Sequence, residues 1–371
     1  MRIFRSALSV AFVLLAAACA GPVSSLPPLS KDDIAAELRR QQVAQIRKYY
    51  SELHRVDTVA FRIRAANRAD CKDWVSAQIG LYAATPNSLP RKYQSFSAEA
   101  LDLRWSRATV ISVVEGSPAD EAGIKNGDEL ISFNDDPVPT SGTMGWMGGF
   151  LKFNEERPVR ISFLRDDKDI IDAKVTPVIA CAIPINYVVD GTVNASTSDK
   201  KIIISSSIVD LAHTDSQLAV LIGHELAHSN LGHLGKRRWN TVVGWVGGLA
   251  ADVGFLAGGV GTRGAFSKEF AKAGALAYSV GFEREADYVG AYYAARAGYD
   301  LTGVEEFWRA LGQANPDSIR LARTHPTTPE RFLQMQKVAA EIAEKKRKHL
   351  PLMPELKLVE VRHDQTTSEN Y

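Results

Sequence analysis

Residues 215–228 read Asp215-Ser216-Gln217-Leu218-Ala219-Val220-Leu221-Ile222-Gly223-His224-Glu225-Leu226-Ala227-His228, two histidines and a glutamate set into an otherwise apolar run. On a helix turning ~100° per residue, positions four apart share a face, so both imidazoles can grip one zinc ion while Glu225 reaches a water beside it. The apolar neighbours predict a buried helix, where polar side chains without a ligand would be costly. His224 and His228 therefore read as metal ligands and Glu225 as a general base.

The third ligand follows from helical phase. His233 lies ~140° round a continuous helix from His228, and it misses by one residue the spacing His-Glu-x-x-His-x-x-Gly-x-x-His. It reads as a structural histidine or one that supports a ligand. Glu283 is better placed, because the helical segment 275–297 puts Glu283 and Asp287 on one face as an i, i+4 pair. Gly290, Ala291 and Ala294 continue that face with residues small enough for close helix packing. Glu283 then completes the zinc site, and Asp287 accepts the free N–H of a ligand histidine. Glu285 points about 180° away from that pair, toward solvent or a salt bridge.

The 371 residues are enough for two or three domains. With 44 Lys+Arg against 43 Asp+Glu, the net charge of +1 excludes nucleic acid as the main partner, since that needs a basic footprint. Residues 1–18 have the build of a secretory signal, Arg2 and Arg5 preceding the apolar run 7–18, which is too short to span a bilayer. Ala16-Ala17-Ala18-Cys19 resembles the lipobox of bacterial lipoproteins, with Ala where Leu is usual. The resemblance implies a lipidated Cys19, membrane attachment, and the periplasmic side of the outer membrane; cleavage at an Ala-x-Ala site and a soluble periplasmic protein is the alternative. Residues 19–30, rich in Pro and Ser, form a tether. Cys71 and Cys181 then remain as an even pair in an oxidising compartment, either two buried thiols or a disulfide. A disulfide there closes a long loop and is worth ~4.7 kcal/mol on chain entropy.

Residues 31–70 read as helix, with Ser30 as N-cap and Ile34, Leu38, Val43, Ile46, Tyr50 and Leu53 at helical spacing. Segment 71–181 reads as short strands and turns. Its run Gly116-Ser117-Pro118-Ala119, Ala122-Gly123-Ile124 and Gly127-Asp128-Glu129-Leu130-Ile131-Ser132-Phe133-Asn134 resembles the PDZ domain of bacterial envelope proteases. That implies peptide capture at a sheet edge, with Gly80-Leu81-Tyr82 as the nearest match to a carboxylate-binding loop, or else a structural or gating role. The flanking cysteines suggest an insertion whose ends meet at a common base. From 182 to 345 two strands, 184–193 and 201–206, precede a mostly helical stretch, and 346–371 is a polar tail. Within the helices, the apolar, Gly-rich run 242–260 carries Asp252 and reads as a hairpin beside the site, touching membrane or substrate, rather than as a span.

The His-Glu-x-x-His motif with His233, the Glu283-x-x-x-Asp287 motif, Thr324-His325-Pro326 followed by Arg331, and Asn194-Ala195 before a strand together resemble the gluzincin zinc metallopeptidases. That family includes the bacterial outer-membrane protease BepA, the heat-shock protease HtpX and the CAAX prenyl proteases. The resemblance implies an α+β fold, a zincin-like body with active-site helices on a small sheet and the PDZ-like β-rich domain inserted. It makes His325 the second oxyanion stabiliser and Asn194 a holder of the substrate backbone. The implied activity is a zinc endopeptidase of the cell envelope, using one ion and cleaving extended or misfolded polypeptides. The alternative is a periplasmic chaperone or assembly factor for outer-membrane proteins with a latent site, but a mere binder needs no Glu225.

Overall fold

The computed structural model describes residues 24–72, 74–89, 91–153, 157–198, 201–276, 279–314 and 329–355. Cys19 with the leader, Thr324-His325-Pro326, and the tail beyond 355 lie outside the described residues. The chain divides into two compact units at Gln42 and Val43. In the first, Ser30 opens helix α1 (Lys31–Ala66), its hydroxyl oxygen accepting from the Asp33 N–H at 3.0 Å. Asp32 and Asp33 in the first turn suit the positive end of the helix dipole.

In the second unit α1 buries Val56, Val59 and Ile63. There follow β1 (Val75–Gln78), β2 (Leu81–Ala84), α2 (Ser97–Leu101), β3 (Ala108–Val113), α3 (Pro118–Glu121), β4 (Glu129–Phe133), β5 (Asp136–Pro137), α4 (Thr143–Phe153), β6 (Val159–Arg165), β7 (Asp169–Val175) and β8 (Val178–Cys181). One antiparallel sheet takes the order β2-β3-β4-β6-β7, with β5 on β4. Alternation of side chains across a strand decides what it buries, as in β6, where Val159, Ile161 and Phe163 enter the core and pack with Leu130, Phe133 and, from α4, Met147 and Leu151. Separately, β1 pairs antiparallel with β8, Val75 opposite Cys181. Cys71 and Cys181 form a disulfide with Cα atoms 5.6 Å apart. The segment thus enters and leaves through a two-stranded stalk fastened at its foot.

The main body adds β9 (Ile185–Val188), β10 (Ala195–Thr197) and β11 (Ile202–Ser205), ordered β10-β11-β9, so that β10 is an edge strand. Helices follow: α5 (Ser206–Leu211), α6 (Asp215–Asn230), α7 (His233–Ala257), α8 (Ala265–Leu276), α9 (Ser279–Arg296), α10 (Glu305–Ala314) and α11 (Pro329–Arg347). Thr214 caps α6 by accepting from the Gln217 N–H at 3.2 Å. The core joins Ile202 and Ile204 of the sheet, Leu218, Ile222 and Leu226 of α6, Tyr292 and Tyr293 of α9, and the α1 face. The architecture is α+β, a β-rich segment on a helix-rich body.

Candidate metal centre

Helix α6 is buried from Gln217 to His228, and α9 crosses it with backbone contact, since a Cβ on Gly223 would lie 2.4 Å from the Gly290 carbonyl oxygen. The crossing sets Glu283 against the two histidines. His224 Nε2 lies 3.1 Å from His228 Nε2 and 3.5 Å from Glu283 Oε2, and His228 Nε2 lies 3.3 Å from Glu283 Oε1. These donors form a nearly equilateral buried triangle. Donors ~2.0–2.1 Å from a tetrahedral metal lie ~3.4 Å from one another, so the triangle matches three corners of such a site and leaves the fourth open. His, His and carboxylate are the donor types of a catalytic rather than a closed structural site.

The far sides of both rings are also engaged. His224 Nδ1 is 2.9 Å from Asp287 Oδ1. His228 Nδ1 is 2.9 Å from His233 Nδ1, and His233 Nε2 is 3.0 Å from Glu285 Oε2. If each Nε2 lone pair faces the centre, each Nδ1 must carry the proton: His224 donates to Asp287, His228 donates to His233, and His233 donates from Nε2 to Glu285. That chain needs a neutral His233, and burial holds its pKa down at about 4. Phe282 stacks on the His233 ring with centroids 4.7 Å apart.

Two further residues join the site, Arg331, which the sequence marked as part of a motif without giving it a role, and Thr197, which it did not single out. Arg331 of α11 donates twice to Asp287, at 2.6 and 2.7 Å, and its Nη1 lies 3.3 Å from Glu283, so it neutralises buried carboxylates while its guanidinium lies over Trp308. Burial favours the neutral form of Asp287, but Arg331 and His224 outweigh it and bring its pKa to about 2. Thr197, on edge strand β10, has its hydroxyl 2.9 Å from the Glu225 main-chain oxygen and in hydrogen-bond contact with the Glu225 carboxylate. Asn194 sits exposed just before β10, its N–H donating to Ser205 Oγ and its carbonyl accepting from the Ser205 N–H, both at 3.1 Å.

In the inserted segment, β2 is an edge strand preceded by Gly80. A cavity of about 350 Å³ lies beside it, lined by Leu81 and Tyr82, by Met144 and Met147 of α4, and by Asp57 and Arg64 of α1. Arg64 donates to Gln78 Oε1 at 2.8 Å and to the Ile183 carbonyl at 3.3 Å, so the groove is walled partly by the main body.

A helix-borne donor triangle with an open corner, beside an edge strand and joined to a β-rich segment of PDZ topology, defines a metallopeptidase with an added β-rich domain. Residues 183–339 match peptidase family M48 and residues 85–175 match the PDZ domain family, so the chain carries an M48 peptidase domain preceded by a PDZ domain. No curated protein matches the chain. Among solved structures it is similar to the HtrA3 PDZ domain bound to a phage-derived ligand, at 21% identity over 28% of this chain and 88% of that one, with a TM-score of 0.22. It is also similar to the HtrA-type protease AlgW with a decapeptide, at 16% identity over 28% of this chain and 29% of that one, again with a TM-score of 0.22.

Proposed function

We propose that the protein is a zinc endopeptidase of the bacterial cell envelope that cleaves extended or misfolded polypeptides, with His224, His228 and Glu283 holding one zinc ion. The donor triangle carries this reading. Bound zinc would supply a Lewis acid for the scissile carbonyl and lower the pKa of water toward ~7. Glu225 takes the proton of the attacking water and delivers it to the leaving amine. Thr197 holds the Glu225 carboxylate from the strand side, and Asp287 and His233 fix the two ligand rings. An extended substrate adds to the exposed edge of β10, which brings its backbone past Glu225, with Asn194 at the start of that edge as a further anchor. His325 is the proposed second donor to the oxyanion. The PDZ groove supplies a second peptide contact. The signal-like residues 1–18 and Cys19 support an envelope address with a lipid anchor at the outer membrane, and a disulfide between Cys71 and Cys181 suits that oxidising compartment.

The test compares wild type with Glu225→Gln for bound zinc and for cleavage of unfolded casein. Both should bind one zinc per chain, and the variant should lose at least about a hundredfold in cleavage rate. Zinc absent from both, or equal cleavage by both, would sink the assignment.

A further inference from the structure

Helices α7 and α8 fold back on each other as a hairpin whose seam is made of backbone. A Cβ on Gly244 would lie 2.1 Å from the Phe270 carbonyl oxygen, on Gly248 2.3 Å from that of Phe266, and on Gly274 2.1 Å from that of Asn240. Asp252, the carboxylate of this seam, accepts from the Ser267 N–H at 2.8 Å, the Phe266 N–H at 3.2 Å, and the hydroxyls of Thr262 and Ser267. The hairpin therefore satisfies its inner polar groups itself, and its large apolar side chains point outward.

Most of them share one side of α7, with Trp245 and Phe255 beside it. At ~100° per residue, Trp239, Val242, Val243, Val246, Val253 and Leu256 fall opposite Gly244 and Gly248, and each is more than half exposed. They make a stripe ~26 Å long. Lys236, Arg237 and Arg238 bracket it at the foot and Arg263 at the turn, while the outward face of α8 carries Lys268, Glu269 and Lys272, all exposed. By length and composition α7 could cross a membrane. Its partner could not follow without taking those three charges into hydrocarbon. An apolar face on one helix, a charged face on the other, a tryptophan at the foot and cations at both ends are what a helix pair needs to lie in a lipid interface.

We propose that the α7–α8 hairpin docks in the plane of an anionic lipid surface, the α7 stripe among the acyl chains and the basic residues at the headgroups. This inference stands apart from the metal chemistry proposed above. Lipid fits better than a second protein because the exposed positions from Val242 to Leu256 carry only Val, Leu, Ala, Gly, Trp245 and Phe255, with no charged group to specify a partner, whereas the bracketing cations complement anionic headgroups. Since α7 begins at His233, beside His228, docking would hold the metal centre at a fixed height over the lipid.

The test uses the full chain on phosphatidylglycerol-containing vesicles with bromine on the upper acyl carbons. The readout is quenching of tryptophan emission rather than capture, because an N-terminal lipid would by itself hold the chain on vesicles. Wild type should be quenched, less so in high salt, and Trp239→Phe/Trp245→Phe, which removes both exposed tryptophans of α7, should lose most of the quenching. Val246→Glu/Val253→Glu should partition roughly tenfold less. Emission that stays unquenched, or quenching that the loss of both Trp239 and Trp245 leaves intact, overturns the proposal. A valine double variant that changes native mass and leaves quenching alone also overturns it, showing that a second copy covers the stripe. If the valine double variant is unstable, the comparison with both α7 tryptophans replaced decides.

Discussion

Gly290 meets His224 backbone to backbone, since a Cβ built on Gly290 would lie 2.5 Å from the His224 amide nitrogen. The helix that carries Glu283 and Asp287 therefore touches the helix that carries the histidines within a turn of the donors, and the spacing of the donor triangle depends on that contact.

Gly290→Ala should push α9 off α6. Overpacking of this kind costs ~1–3 kcal/mol, and zinc affinity should fall with it because Glu283 moves away from the rings. Gly281→Ala is the control, since nothing lies within 4 Å of its added Cβ. Urea unfolding and zinc titration should separate the two, the control unchanged or slightly more stable.

Arg331→Met removes the permanent cation that faces Asp287 and Glu283, leaving the two buried carboxylates only their histidine partners. The metal-free protein should lose ~3–5 kcal/mol. Saturating zinc should recover part of this, since the metal restores positive charge there. Arg331→Lys should fall between the two, because an ammonium cannot reproduce the paired bonds to Asp287. Denaturant midpoints with and without zinc read the difference.

His233→Phe keeps the stacking on Phe282 but removes the acceptor for His228 Nδ1–H. Zinc affinity should drop ~10–100-fold, with cleavage largely restored by excess zinc. Glu285→Gln should have a smaller effect, since its amide oxygen still accepts from His233. Unchanged affinity in His233→Phe would remove His233 from the support of the site.

Burial raises the Asp57 pKa to about 8, with Arg64 opposing. A carboxyl raised in the folded state favours folding fully below its unfolded pKa of ~3.9, and that contribution is lost as pH rises toward about 8. Asp57→Asn, which stays neutral, should therefore be more stable than wild type at pH 8 by a few kcal/mol at most, with the gain closing near pH 4. Melting curves across that range check both the sign and the window.

The clustering of the candidate donors was legible because each pair lies within one helix, where i, i+4 spacing fixes the face. His224 with His228 and Glu283 with Asp287 needed no tertiary information. The link from His233 to His228 was not legible in the same way. Counting phase along one helix put His233 ~140° away, but Gly232 adopts a left-handed conformation, φ +66°, ending α6 and resetting the direction of α7. That turn brings His233 behind His228 and lets Glu285, which faces away from the donors, pair with it. Thr197 depends on how β10 lies over α6, and Arg331 on a contact 44 residues from Asp287 in sequence. Neither position is encoded by local periodicity. The fold class followed from motifs and strand patterning, whereas the α1 wall of the PDZ groove could not be read from a helix whose residues at those positions look like ordinary packing.

The stalk of the inserted segment has a topological consequence. With its two ends 5.6 Å apart at the Cα atoms of Cys71 and Cys181, the segment begins and ends at almost one point, so a change of length within it leaves the spacing of the chain on either side untouched. Because Asp57 and Arg64 of α1 line the groove beside β2, that groove and the helix that walls it can only be altered together.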